Sequence, residues 1–114
     1  MRLYSYAACS TCRRALSWLR QQGLQAKPID ITSQPPSEAE LQLALALLGR
    51  KRLLNTSGQS YRALGAQTVA AMDDQQLLQA LAADGRLIKR PFVVTAAGRV
   101  LTGFKPEEWQ ALLG

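Results

Sequence analysis

The sequence predicts an α/β fold on a mixed four-stranded sheet, with a βαβ unit, a helical insertion and a ββα unit in that order. Three observations point to it. Two short alternating segments near the start flank an amphipathic helix, and a helical crossover joins parallel strands. Residues 92–102 read as two strands around a turn containing Gly98, an antiparallel hairpin that extends a parallel pair into a mixed sheet. Between these blocks the pattern is helical. With 114 residues the chain has the size of one domain, 1–114, with the insertion at about 36–86.

The first strand is predicted over Arg2 to Tyr6, where residues alternate and aromatics recur. Ser10 opens a helix whose apolar stripe is Cys12, Ala15, Leu16 and Leu19, and Gly23 ends it. Lys27 to Thr32 alternates around Ile29 and Ile31 as the second strand. Pro35-Pro36 punctuates, and Ser37-Glu38-Ala39-Glu40 has the form of a capping box for a helix running to about Leu48, stopped by Gly49. Arg50 to Gln67, with "NTSGQSYRALG" inside it, mixes turn residues with one apolar turn and reads as loop plus a short helix. Asp73 or Asp74 caps a further helix through Leu77, Leu78 and Leu81, closed by Asp84-Gly85. Phe92 to Thr95 and Arg99 to Thr102 form the hairpin. Lys105 to Leu113 is the last helix, with Pro106 in its first turn and Trp109, Leu112 and Leu113 facing inward.

The composition is that of a soluble globular chain, 47% apolar and 19% charged, with no apolar run of about eighteen residues to span a bilayer. The start lacks the apolar run of a signal peptide, and two cysteines are too few for a secreted disulfide framework, so the expected location is cytoplasmic. Fourteen Lys and Arg against eight Asp and Glu give a net charge of +6. The positives are scattered without a dense tract, so they read as a solvated basic surface with room for a small anion, and direct nucleic-acid binding is not expected. A monomer is expected. The chain has no histidine, which excludes Ser-His-Asp and Cys-His nucleophile pairs and His-based zinc sites.

Both cysteines lie in "AACSTCRRALSWLRQQG", at the predicted mouth of the first helix. The attacking species of thiol chemistry is the thiolate, and the positive end of a helix dipole favours an anion there. Cys9 precedes Ser10, where first-turn amides face its sulfur and Arg13 adds positive charge, so Cys9 is the expected nucleophile. Cys12, one turn further and partly sheltered by the apolar stripe, suits a resolving thiol. Two other readings stand beside the redox pair. A structural zinc site would have to be intermolecular, because the chain supplies two cysteines and no histidine. Alternatively Cys12 is a small core residue and Cys9 acts alone or not at all.

Taken together, the strand, dithiol and helix, "NTSGQSYRALG" and "LIKRPFVV" make the sequence resemble the arsenate reductase (ArsC) family, including its Spx-like and YffB-like members, over essentially the whole chain. The resemblance implies a thioredoxin-like fold, with Pro91 at the place of the cis-proline that faces the active cysteine. It implies Cys9 as catalytic cysteine, and Arg62 and Arg90 as arginines that hold an oxyanion and stabilise the thiolate. A guanidinium suits that task as a bidentate donor. In such a mechanism Cys9 attacks the oxyanion centre, and glutathione or another thiol, with glutaredoxin or thioredoxin, completes the reduction. No bound cofactor or metal is implied.

Two departures matter. Reductases linked to glutaredoxin have serine where this chain has Cys12, and a third oxyanion arginine where this chain has "TGFKPEEW". Lys105 supplies charge there without a bidentate fork, so Lys105 and Arg13 are further oxyanion-binding candidates. The ending looks like the Spx-like and YffB-like members. Spx-like regulators carry the same C-x-x-C as a switch and bind the C-terminal domain of the RNA polymerase alpha subunit, with a glycine near the position of Gly49. Arg62 matches the reductases instead.

Overall fold

The computed structural model describes residues 1–113. Strand β1 (Arg2–Ser5) leads through helix α1 (Ser10–Gln21) to β2 (Pro28–Asp30), and the hairpin is β3 (Phe92–Val94) with β4 (Val100–Thr102). The sheet order is β2-β1-β3-β4. β1 and β2 are parallel, with Tyr4 opposite Ile29, while β3 is antiparallel to both β1 and β4, with Phe92 opposite Tyr4 and Thr102. This is the expected mixed sheet in a thioredoxin-like α/β arrangement.

Between β2 and β3 lie α2 (Glu38–Leu48), α3 (Arg50–Leu53), α4 (Gln59–Leu64), α5 (Ala66–Ala71), α6 (Asp74–Ala83) and a 3-10 turn, Gly85–Leu87; α7 (Pro106–Leu113) follows the hairpin. Three short helices therefore begin within residues 50–67, where a loop and one short helix are expected from the sequence. Each is one or two turns long, too short to display a 3.6-residue period. β2 is also shorter than the expected Lys27 to Thr32, because the Thr32 amide and hydroxyl both donate to Asp30 Oδ1, at 2.9 and 2.7 Å, and turn the chain.

The pleat sorts side chains between two cores. Leu3, Val93 and Leu101 point to the side covered by α1 and α7, where they bury Ala15, Leu19 and Trp109. Tyr4, Phe92 and Val100 point to the other, against Leu41, Leu53, Leu77 and Leu81 of the inserted helices. Both caps expected for the insertion form as full capping boxes, Ser37 with Glu40 and Asp73 with Gln76. α1 closes in a Schellman arrangement, the Leu24 amide donating to Leu19 and the Gly23 amide to Arg20, with Gly23 at φ +72°.

Two contacts fix the insertion beside the chain that enters β3. Leu54 and Ile88 form an antiparallel bridge, flanked by Asn55 N–H to Leu87 O at 2.8 Å and Lys89 N–H to Leu53 O at 2.9 Å. Gly85 lies against the end of the β2 segment so closely that a Cβ would collide with the Ile31 carbonyl. The 3-10 turn is thereby held next to residues 55–60.

Candidate active site

The turn between β1 and α1 places Cys9 at the N-cap of α1, with extended φ −91° and ψ 113°. Its Sγ accepts the backbone N–H of Cys12 at 3.2 Å, the role that a serine or aspartate side chain takes at other helix starts. The turn is closed by Cys9 N–H to Tyr6 O at 3.0 Å. Arg13, a candidate oxyanion ligand, donates from Nη1 to Ala7 O at 2.8 Å and so ties α1 back to that turn.

The two thiols have different surroundings. Cys9 is half-buried, whereas Cys12 is 1% exposed. Burial, followed by the neighbouring Cys9, pushes the Cys12 thiol up to about 11, against smaller opposite effects of the Tyr6 backbone and the Ser5 hydroxyl. Both cysteines are free, and among the described residues no cluster of three His, Cys, Asp or Glu could hold a metal.

Tyr6 also forms the wall of a polar groove of about 310 Å³, together with Asn55, Gly58, Ser60, Arg86 and Arg90. The Arg90 guanidinium stacks over the Tyr6 ring, 5.1 Å from its centroid, and Nη1 reaches Arg86 O at 3.4 Å. Arg90 Nε is buried with no hydrogen-bond partner among the described residues. A buried cationic donor left unmatched is costly. The next peptide bond, Arg90–Pro91, is cis, and Pro91 is buried.

Of the residues singled out in the sequence, Cys9 and Cys12 meet at the start of α1, and Arg90 borders the adjoining groove. Arg62 is exposed on α4 and Lys105 is exposed just before α7; neither lines the groove. Arg86 does, a position for which no motif in the sequence gives a signal.

Residues 4–112 match the ArsC family. The chain is 39% identical over 110 residues to protein YusI of Bacillus subtilis, covering 94% of this chain and 92% of that one. It is 32% identical over 98 residues to an arsenate reductase of Rhizobium meliloti, covering 84% and 69%. A crystal structure of a protein described as ArsC family related, from Bacteroides fragilis, superposes with a TM-score of 0.85 at 38% identity, covering 96% and 94%. The global transcriptional regulator Spx of Listeria innocua also matches, at 25% identity over 113 residues, 97% of this chain and 85% of that one. With a match across nearly all of its length, the chain belongs to the ArsC family.

Proposed function

We propose that the protein is a thiol-dependent reductase with Cys9 as nucleophile. The observation that carries this reading is the Cys9 sulfur at the N-cap of α1, half-buried and accepting a first-turn amide, where an anionic sulfur is stabilised. Arg90, with its unmatched buried Nε, binds the anionic substrate beside it, and Arg62 supplies a second guanidinium from exposed α4. Pro91, at the cis bond after Arg90, is the proline that the family resemblance puts opposite the thiol, and Arg13 holds the nucleophile's turn. Lys105 adds positive charge from the open surface.

For an oxyanion substrate, the Cys9 thiolate bonds to the central atom and a protonated oxygen leaves as water. A small thiol such as glutathione then attacks the Cys9 sulfur. The bond between sulfur and the central atom breaks, its electron pair stays on the reduced oxyanion, and Cys9 is left in a mixed disulfide. Glutaredoxin or thioredoxin returns that disulfide to the thiol. Cys12 is the alternative resolving thiol, but burial keeps it protonated at neutral pH, which favours the external thiol.

Intact mass after mild oxidation in glutathione buffer tests the reading. A single glutathione adduct, retained in Cys12→Ser and lost in Cys9→Ser, is expected. A parent that instead loses two hydrogens would make Cys12 the resolving thiol. An unchanged mass would end the reductase reading.

The second reading is a redox-sensing regulator like Spx, docking on the C-terminal domain of the RNA polymerase alpha subunit. It is favoured by the surface around Gly49, where φ is +80° and nothing lies within 4 Å of a built Cβ, beside Leu47 at 56% exposure and exposed Lys51. Absence of binding to that domain by both oxidised and reduced protein would remove this reading.

A further inference from the structure

We propose that Arg86 is a specificity-determining residue that selects carboxylate-bearing thiol and disulfide partners for Cys9. This rests on Cys9 being the nucleophile and concerns the half of the partner that does not react.

Arg86 and Arg90 border the same groove. They are bound together through the main chain, because Arg86 O accepts both Arg90 Nη1 at 3.4 Å and Asn55 Nδ2 at 3.2 Å. The Arg86 amide donates to Asp84 Oδ1 at 3.0 Å, so the Asp84 carboxylate is engaged at the turn. Every one of these contacts uses the Arg86 backbone. Its exposed guanidinium makes no hydrogen bond or ion pair among the described residues, whereas Arg50 and Arg52 are paired with Asp74 and Glu108. Arg86 thus presents an unneutralised fork on a groove that Arg90 also lines.

Size selects the class of ligand. A groove of about 310 Å³ holds roughly ten waters by liquid volume, far more than one tetrahedral oxyanion displaces. It suits a peptide-sized partner with carboxylates for the two arginines, and Ser60 and Asn55 add polar groups along it. Tyr6 joins the groove to the thiol, since its ring lies under Arg90 and its carbonyl accepts the Cys9 amide. A partner lying along the groove would bring its sulfur toward Cys9. In the exchange the Cys9 thiolate bonds one sulfur of the partner disulfide, that S–S bond breaks, and the other half leaves as a thiolate.

The test is the rate at which reduced Cys9 disappears on reaction with glutathione disulfide, which is anionic, with neutral hydroxyethyl disulfide and with cationic cystamine. Intact mass counts mixed and internal disulfides together, and Cys9→Ser is the blank. Because the Arg86 side chain is exposed and only its backbone is structural, Arg86→Ala should fold. Arg86→Ala is expected to slow the glutathione disulfide reaction about three- to tenfold and to leave the neutral one unchanged. Arg86→Lys should restore part of the preference, and added salt should erode it. Arg99→Ala removes the same charge from the exposed hairpin turn and should change neither rate. An anionic-to-neutral ratio that is the same in the parent and Arg86→Ala overturns the assignment. If Cys9 reacts with none of the three, the reductase reading falls and this one with it; reaction with all three at charge-independent rates defeats the role of Arg86 alone.

Discussion

The Cys9 sulfur accepts the Cys12 amide at 3.2 Å, so the first cysteine of the pair caps α1 while the second is buried inside the turn that the cap closes. One short stretch of chain therefore holds two thiols in different surroundings. Cys9 is half-buried at the helix start, its sulfur facing a first-turn amide. Desolvation favours the neutral form at Cys12. The pair is divided into a half-buried sulfur at the helix start and a fully buried one behind it, and the division is set by backbone position.

Capping and chemistry at Cys9 can be separated. A serine hydroxyl at the N-cap accepts the same amide, whereas alanine leaves it unmatched at a cost of about 1 kcal/mol. Urea denaturation should find Cys9→Ser within a few tenths of a kcal/mol of the parent and Cys9→Ala destabilised by about that amount. A thiol-coupled reductase assay should find both inactive. Retained turnover in Cys9→Ser would remove Cys9 from the chemistry.

Cys12 gives the protein an alkaline weakness. Its folded value of about 11 lies above the ordinary 9.0, so burial of the neutral thiol contributes stability that is fully present below pH 9 and is lost as pH rises through 11. The contribution is of the order of 2 kcal/mol. Thermal unfolding between pH 8 and 11 should show a steeper loss for the parent than for Cys12→Ala, although the alanine variant starts lower. Parallel curves would mean that the Cys12 thiol titrates normally.

Much of this arrangement is legible in the sequence, because its signals are local. The crossover helix, the capping box at Ser37, an aspartate cap at Asp73 or Asp74, the hairpin around Gly98 and Pro106 at the start of α7 each depend on residues within a few positions of one another. The cysteine pair is local too, and its spacing suffices to put one sulfur at the N-cap. The groove is not. Tyr6, Ser60 and Arg86 are brought together by the Leu54–Ile88 bridge and the close seat of Gly85 on Ile31, which no periodicity encodes. Residues 50–67 escape for a different reason, since the helices there run only four to six residues, too short to show a helical period.

The arginines named from the family resemblance should differ in weight. Arg90 combines a stack on Tyr6 with a buried unmatched donor, whereas Arg62 is exposed. Charge-assisted bonds to a bound anion are worth about 1.5–3 kcal/mol, so Arg90→Ala should lower kcat/KM by about ten- to a hundredfold. Arg90→Lys should recover little, because an ammonium offers no planar fork to the anion. Arg62→Ala should cost less than about tenfold. Equal losses at the two positions would mean that α4 moves inward when substrate binds.

The contact that fastens the insertion to the sheet is expected to be acid-sensitive. Tyr4 is buried edge-on to Phe92, with ring centroids 5.8 Å apart, and its hydroxyl donates to Glu40 Oε1 at 2.9 Å. The same carboxylate accepts the Ser37 amide at 3.0 Å in the capping box of α2 and lies 3.5 Å from Arg2 Nε. Burial raises the Glu40 carboxyl, but the donors from Ser37 and Tyr4 and the charge of Arg2 outweigh it and hold the group below its ordinary value of 4.5. A depressed carboxylate contributes stability that is present above the unfolded value and is lost as pH falls through the folded one. Tyr4→Phe keeps the ring and removes the donor, so it should cost about 1–2 kcal/mol at neutral pH, where Glu40 is charged. Once Glu40 is protonated the bond loses its charge-assisted character, and the gap between Tyr4→Phe and the parent should narrow. Urea denaturation at pH 7 and at successively lower pH through the acid unfolding range checks this, and a gap that never narrows would show that the hydroxyl acts independently of the Glu40 charge.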